Sequence, residues 1–488
     1  MKVAVCFLNL FFGAFLLSGQ QKEVKMSLEQ CIDWAVNHSL QALRVENDYM
    51  SGQWDYLNYK AGRLPSLSLR LNPVQYNSHF TSRYDYTENI DVYRQQQLIN
   101  SSAGLSMTQS VGLTGGRLTL DSDLNFMRNF GDNLFTQYSS VPVRIGYSQS
   151  LFGFNYLKWT KKIEPLRYEK VSKQYLYAKE ATAETAIRHF FDLASAQSDY
   201  AMALENIAST DTLYIAGREK NLLGVISEAD LLTLELDLIN ADNALENAIT
   251  QLELTTSAFF SFFGLDKNSH ISLELPDMMP EITVSAEEAF FQMKENNPDI
   301  LRYRQQALES EQSLEQMQKT GGLDANVSAS VGFNQAGNRM SDVYNHLLRQ
   351  DIVNISVTVP LVDWGTRKRR ISAAKNNRAI TQQTIEQDEF NLEQELTGAV
   401  SEFNRQYGIT KKSLEALQKA TAIYEVNKQR FIIGKTDANT LTLSQNRKDS
   451  AMRNYISALN RYWSLYYTIR KLTLYDFAKR EKLSIVTN

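Results

Sequence analysis

The chain makes the same helical turn twice. One turn lies in the segment LLGVISEADLL, around Gly224, and the other lies in FIIGKTDANTL, around Gly434, 210 residues later. A long helical pattern precedes each glycine and another follows it, and glycine is a common residue at helix ends. Strand patterns repeat at the same interval, because Leu361 follows Leu151 by 210 residues. The sequence therefore predicts two similar halves, each with a long helical hairpin.

Each half begins with a helical pattern, continues with strands and ends with its hairpin. Alternating apolar and polar residues predict strands at 64–71, 105–113, 117–126 and 143–151 in the first half, and at 326–333 and 352–361 in the second. We expect residues 72–102 to form a polar loop. The first half has 49 more residues than the second among its strands. The predicted fold is mainly α with a β end, built from repeats at 20–280 and 281–488.

The N-terminus predicts export. Lys2 precedes the apolar stretch 3–17 and the small, polar residues 18–20, a pattern typical of a signal peptide at 1–19. A transmembrane anchor is the alternative. After cleavage only Cys31 remains, which excludes an intrachain disulfide. No later stretch has eighteen consecutive apolar residues, so a membrane crossing would need strands that close on one another.

The composition and motifs argue against an enzyme or a nucleic-acid-binding protein. The 51 basic and 55 acidic residues give a net charge of -4, which provides no field that attracts nucleic acid. Gly434, Lys435 and Thr436 imitate a phosphate-binding loop, but Gln429 stands where its first glycine belongs. The five histidines show no metal-ligand spacing. We expect no catalytic residue, no metal and no cofactor.

Several segments resemble the TolC-type outer-membrane efflux protein family. They are the two turns, the strand-to-helix junctions QSLFGFN and VPLVDWG, and the helices LEQCIDWAVNHS and AEEAFFQMKENNP. The resemblance covers nearly the whole mature chain. It implies a homotrimer in which each chain contributes four strands to one twelve-stranded outer-membrane β-barrel, which a long periplasmic α-helical barrel continues.

The resemblance also implies a function and partners. The chain would be the outer-membrane channel of a tripartite efflux or type I secretion system in a Gram-negative bacterium. It would passively conduct cargo from an inner-membrane pump, of the resistance-nodulation-division or ABC class, and a periplasmic adaptor (membrane fusion) protein. The alternative is a secreted trimeric coiled-coil scaffold or adhesin with a soluble β head. The sequence leaves open the cargo and whether the 49 extra residues lie outside the cell or in the barrel mouth.

The two turns are the first candidate site. By resemblance, Leu223, Gly224 and Val225 form one half of a periplasmic tip at which the adaptor docks. Ile433 and Gly434 form the other half.

Asp230 is a second candidate, since family members carry acidic residues that form a pore constriction past these glycines. The alternative is a solvated carboxylate that stabilises the start of its helix. The corresponding positions of the second half hold Thr440 and Leu443, which argues against a full acidic ring.

Phe154 and Trp364 are the third candidate site. They lie 210 residues apart at equivalent strand ends, where an aromatic belt would meet membrane lipid. The alternative is that both rings cap a soluble sheet. Basic residues follow both positions, at Lys158, Lys161, Lys162 and Arg367 to Arg370. Cations at a helix N-terminus oppose the helix dipole, so we expect a compensating anion nearby.

Overall fold

A computed structural model describes residues 24–130, 134–265, 271–278, 281–433 and 435–485. The predicted signal peptide at 1–19 lies outside the described residues, and so does Gly434. In chain order the elements are β1 (Val24–Ser27), α1 (Leu28–His38), α2 (Leu40–Ala61), β2 (Ser66–Asp85), β3 (Ile90–Val111), β4 (Gly116–Asn129), β5 (Phe135–Ser150), α3 (Tyr156–Leu222), α4 (Glu228–Phe263), β6 (Ile271–Glu274), α5 (Ala286–Asn296), α6 (Pro298–Lys319), β7 (Asp324–Gly337), β8 (Leu348–Thr358), α7 (Thr366–Ile432), α8 (Ala438–Thr473), β9 (Tyr475–Asp476) and β10 (Glu481–Lys482).

The opening helix of each half is broken once. In the first half, the hydroxyl of Ser39 donates to the carbonyl of Ala35 (2.6 Å) and so ends α1. In the second half, Pro298 lacks the N–H that would continue α5. Asn297 instead caps α6, because its side-chain oxygen accepts a hydrogen bond from the amide of Asp299 (2.8 Å). Each predicted helix is therefore a pair, α1–α2 and α5–α6.

The long helices have matched lengths in the two halves. Both α3 and α7 contain 67 residues, and both α4 and α8 contain 36. At 1.5 Å per residue, α3 and α7 are each about 100 Å long. Within the described residues, no helix has both the length and the apolar character required to cross a membrane.

The large sheet is antiparallel, with the order β2-β3-β4-β5-β7-β8. The expectation of four strands per chain is wrong, because the described chain supplies six. The polar loop expected at 72–102 is also wrong, since β2 continues to Asp85 and β3 starts at Ile90. Backbone groups of 75–85 pair with those of 90–100 in a long hairpin. This pairing satisfies the main chain whatever the polarity of the side chains.

The extra residues of the first half form two strands of this sheet. The helices before the sheet, α1 and α5, start 258 residues apart, whereas α3 and α7 start 210 residues apart. The difference is 48, one fewer than the number expected from the strand patterns. Because the first half has four strands and the second has two, the added pair is equivalent to one hairpin, β3–β4.

The chain divides into two compact units, and each gathers segments from both halves. The helical unit comprises Met1–Val45, Ala178–Ala289 and Thr397–Leu483. The sheet unit comprises Glu46–Tyr177, Phe290–Leu396 and Ser484–Asn488. The large sheet belongs to the sheet unit, and both helical turns belong to the helical unit.

Aromatic side chains fill the core of the helical unit. Phe403 of α7 stacks on Tyr462 of α8, with ring centroids 5.3 Å apart. Both residues are at most 1% exposed, as are Leu459 and Ile469 of α8. Burial of such side chains contributes about 1.5 to 3 kcal/mol each. The contact between α7 and α8 therefore rests mainly on apolar area.

A buried ion-pair network lies at the end of α8. Arg470 forms ion pairs with Glu180 (3.0 Å) and Asp476 (3.1 Å). Asp476 also accepts hydrogen bonds from the hydroxyl of Tyr466 (2.5 Å) and from the amide of Ala478 (3.0 Å). Although burial opposes it, the sum of these hydrogen bonds and the charge of Arg470 lowers the pKa of Asp476 below its ordinary 3.8. This ion-pair network links α3 to the end of α8.

The substitution Asp476→Asn should therefore destabilise the protein in a pH-dependent way. At neutral pH the variant loses charge-assisted hydrogen bonds, for a loss of about 2 to 3 kcal/mol. The pKa of Asp476 is lower in the folded than in the unfolded state, so its stabilisation is present above the unfolded value of 3.8 and disappears as the pH falls through the folded value. The difference between the unfolding midpoints of the parent protein and the variant should consequently shrink below about pH 4. A constant gap between pH 7 and pH 2.5 would contradict this assignment.

Candidate transport surfaces of the sheet and the helical turns

One face of the large sheet is apolar and exposed. A row of paired residues on adjacent strands crosses this face, from Leu67 through Met107, Leu120 and Ile145 to Val331. In the single chain, Leu67 is 72% exposed, Ile145 55% and Val331 52%. Exposed leucines that occur singly need no explanation, but an apolar row across five strands does, and this row ends at Asp351 of β8. We call this surface the apolar face.

The opposite face is polar. The neighbouring row runs from Ser68 through Ser106, Asp121 and Arg144 to Gly332. The side chains of Asp121 and Arg144 are only 19% and 30% exposed, so the charges are more sheltered than the leucines on the other side. This distribution is the reverse of the usual one, in which apolar side chains are hidden and charges face water. We call this surface the polar face.

The strand-to-helix junctions place the two predicted belt residues differently. Trp364 is 85% exposed and has a φ of 53°, in the left-handed region that is uncommon for bulky residues. Phe154 is half-buried. Both residues lie between the last strand of their half and its long helix. The structure therefore presents Trp364 fully and Phe154 only in part.

Asp363 supplies the anion that we expected beside the basic residues of α7. Its carboxylate accepts hydrogen bonds from the amides of Gly365 (2.8 Å) and Arg367 (2.9 Å), and these bonds lower the pKa of Asp363. At the start of α3 the cap is uncharged, since Asn155 accepts from the amide of Lys158 (3.1 Å). The negative charge comes instead from Glu315, which pairs with Lys158 at 3.9 Å. Both helix starts therefore have an anion near their cations.

The first turn has the geometry of a Schellman motif. The amide of Val225 donates to the carbonyl of Lys220 (2.9 Å), and that of Gly224 donates to Asn221 (2.9 Å). Gly224 has a φ of 69°, which a residue with a Cβ adopts only with strain. Leu223 and Val225 are 78% and 67% exposed. The turn thus presents two apolar side chains on a tightly closed backbone.

The second turn repeats this backbone pattern. The amide of Lys435 donates to the carbonyl of Arg430 (2.8 Å), the same six-residue closure as in the first turn. Ile433 is 62% exposed. Gly434 itself lies outside the described residues. Each turn therefore exposes large apolar side chains next to the predicted glycine.

Asp230 acts as a capping residue. The amide and the hydroxyl of Ser227 both donate to its carboxylate (3.1 and 2.7 Å), and its own amide donates back to the Ser227 hydroxyl (3.1 Å). These hydrogen bonds lower the pKa of Asp230. The alternative expectation, that the carboxylate stabilises the start of α4, accounts for these hydrogen bonds. A role of Asp230 in a pore constriction stays a prediction.

The second turn has a carboxylate that sequence reasoning missed. Asp437 caps α8 by accepting from the amide of Thr440 (2.7 Å), and this bond lowers the pKa of Asp437. The first turn has serine at the cap and aspartate three residues later, whereas the second has aspartate at the cap and threonine three residues later. The sequence contains this carboxylate, but it lies three residues before Thr440, the position that corresponds to Asp230.

A small core joins the four helices behind the turns. Leu213 of α3, Tyr424 of α7 and Leu441 of α8 are buried together, and Leu234 of α4 packs against them. Lys448 of α8 adds an ion pair to Glu205 of α3 at 2.6 Å. Both turns therefore lie at the same end of the helical unit.

Comparisons with known proteins agree with this architecture. Residues 291–473 match the family model described as outer membrane efflux protein. A search of curated proteins finds no match.

Among solved structures, the CmeC outer membrane channel of Campylobacter jejuni is similar, with a TM-score of 0.65, 13% identity, and coverage of 94% of this chain and 87% of that one. The outer-membrane channel OprN has a TM-score of 0.64 and 13% identity, with 91% and 89% covered. A membrane protein from Pseudomonas aeruginosa has a TM-score of 0.63 and 14% identity, with 91% and 90% covered. The resemblance to the TolC-type family is thus confirmed: residues 291–473 match the outer membrane efflux protein model, and the chain has the fold of these outer-membrane channels.

Proposed function

We propose that this chain is the exit duct of a tripartite efflux or type I secretion system in the outer membrane of a Gram-negative bacterium. It conducts cargo passively, and an inner-membrane pump supplies the energy. The observation that carries this proposal is the large sheet, whose apolar face is exposed while the charged side chains of Asp121 and Arg144 on its polar face are more sheltered. Such a sheet fits a wall with lipid on one side and a water-filled passage on the other. The family match and the fold support the channel and give no support to the secreted scaffold.

The edges of the sheet call for partners of the same kind. β2 and β8 are the outer strands of the described sheet, and an unpaired backbone group in hydrocarbon costs several kcal/mol. Pairing β2 of one copy with β8 of the next satisfies both edges. A homotrimer, which the resemblance implies, would then contain eighteen strands instead of twelve, because each chain brings six.

The two halves serve as structural repeats in this proposal. Their helical hairpins have the same lengths, and their turns close with the same backbone hydrogen bond. We assign the exposed residues Leu223, Val225 and Ile433, with Gly224 and Gly434, to a periplasmic tip that docks an adaptor protein. Short exposed apolar side chains on a rigid turn suit a transient protein interface.

The strand-to-helix junctions would lie at the inner membrane-water interface. Trp364 supports this assignment because its ring is exposed, and tryptophan is enriched at such interfaces. Phe154 contributes less, since its side chain is half-buried. Asp230 and Asp437 would place one carboxylate at each turn, near the closed end of the duct.

Conductance of the purified protein tests the proposed function. Detergent-extracted protein should migrate as a trimer on an unheated gel and insert into a planar bilayer with a small, mostly closed conductance. The physical reason is that the turns close the passage until an adaptor binds. A water-soluble particle that never inserts would overturn the proposal.

The substitution Gly224→Val tests the tip. A β-branched residue at a φ of 69° costs about 1 to 3 kcal/mol, so the backbone of the turn should lose its tight conformation. Adaptor-dependent export should then fall about ten-fold or more. Gly398→Val is the matched control, because Gly398 lies within α7 and a Cβ there meets no atom within 4 Å. Export is measured in cells with equal amounts of each variant in the outer membrane. Equal export by the two variants would remove the first turn from the docking surface.

A further inference from the structure

The inserted hairpin β3–β4 belongs to the body of the sheet. β3 pairs with β2 and β4 pairs with β5 over most of their lengths. Leu105 and Met107 of β3 lie on the apolar face, and so do Leu118 and Leu120 of β4. The inserted strands therefore alternate in phase with their neighbours. The polar-side residues of β3 and β4 are therefore part of the polar face.

The inserted hairpin brings two carboxylates to that face. Asp121 and Asp123 of β4 both form ion pairs with Arg144 of β5, at 3.4 Å each. The hydroxyl of Ser106 on β3 donates a further hydrogen bond to Asp121 (2.6 Å). These contacts hold three charged side chains on adjacent strands. We call Asp121, Asp123 and Arg144 the charged cluster.

Glycines next to the charged cluster leave room for it. A Cβ at Gly104 of β3 would overlap the carboxylate of Asp123. A Cβ at Gly332 of β7 would lie 3.0 Å from the Cβ of Arg144 and closer still to the backbone of β5. Gly332 is therefore required by the close backbone of β5, whereas a Cβ at Gly104 would force only the carboxylate of Asp123 to move. The charged side chains therefore have glycine neighbours on both flanking strands.

We propose that the charged cluster determines which charge sign the outer part of the duct prefers. The inference rests on the proposed function, in which the polar face lines the passage. Two carboxylates and one guanidinium leave one net negative charge per chain, and a trimer repeats it three times. Arg70 and Arg117 lie on the same face, but the structure gives neither an ion pair with the cluster. The two carboxylates attract cationic solutes and Arg144 attracts anionic ones, so their balance sets the preference. Arg70 lies in the row of Asp123 and offsets part of the negative charge at this level.

A reporter cysteine tests the proposal without requiring the turns to open. Ser330 lies on the polar face, paired with Gly146 two residues along β5 from Arg144. The variant Ser330→Cys is made in a Cys31→Ala background, because Cys31 is the free cysteine among the described residues. Membrane-impermeant methanethiosulfonates that carry one positive or one negative charge are added from the outside. The readout is the ratio of their reaction rates, cationic over anionic.

The substitutions should move this ratio in opposite directions. Arg144→Gln should raise it about five-fold at low salt, since removing one charge at about 8 Å in water acts oppositely on the two reagents. Asp121→Asn combined with Asp123→Asn should lower it by at least as much. Arg144→Lys should leave it close to that of the parent. All differences should shrink in about 1 M salt, where the Debye length is about 3 Å.

Arg349→Gln is the matched control. Arg349 pairs with Phe333 and lies on the apolar face, so its loss should not change the ratio. Each variant is first checked for trimers on an unheated gel.

Two failures are distinguishable. If Ser330→Cys reacts with both reagents and the ratio is the same in all variants, the charged cluster has no role in selectivity, while the duct stands. If Ser330→Cys reacts with neither reagent and Val331→Cys, on the apolar face, reacts with both, the polar face does not line a water-filled passage and the proposed function fails as well. Opposite shifts for the arginine and aspartate variants would support the proposal.

Discussion

Successive side chains of a β-strand point to opposite faces, and the large sheet depends on this period of two. A slip of one residue in any strand would exchange its two sets of side chains between the faces. The six strands avoid this, so that Leu120 and Ile145 share one face while Asp121 and Arg144 share the other. Where β2 has a bulge between Asn72 and Gln75, its even-numbered residues take over the apolar side. The amphipathic wall is thus a consequence of register rather than of any single contact.

The helices impose a second constraint, which is length. The hairpins α3–α4 and α7–α8 can pack together behind their turns only if both turns lie at the same level. α3 and α7 have equal lengths, and Leu213, Tyr424 and Leu441 then meet in one small core. The closing hydrogen bonds to Lys220 and Arg430 are the same in both turns. The capping chemistry is less constrained, since a hydroxyl and a carboxylate can exchange positions and still cap the helix.

Local patterns predicted much of the fold correctly. The strands predicted at 117–126 and 326–333 lie within β4 and β7, and the chain reverses at Gly224 as predicted. Residues 72–102 were the main error. Their side chains are mostly polar or aromatic and carry no hydrophobic alternation of the usual kind, so the pattern indicates a loop. In the structure, the partner strand satisfies their backbone groups, although most of their side chains are not buried.

The sequence by itself determined the features that depend on near neighbours in the chain. These are the two turns, the matched long helices and the faces of individual strands, because helix caps and strand periods act within a few residues. Only the tertiary structure decided that β3–β4 enters the sheet, that Asp121 and Asp123 share Arg144, and that Leu213 meets Leu441. Such contacts join residues between about twenty and more than two hundred positions apart. Register and packing set them, and no local pattern records which distant strand or helix will be the neighbour.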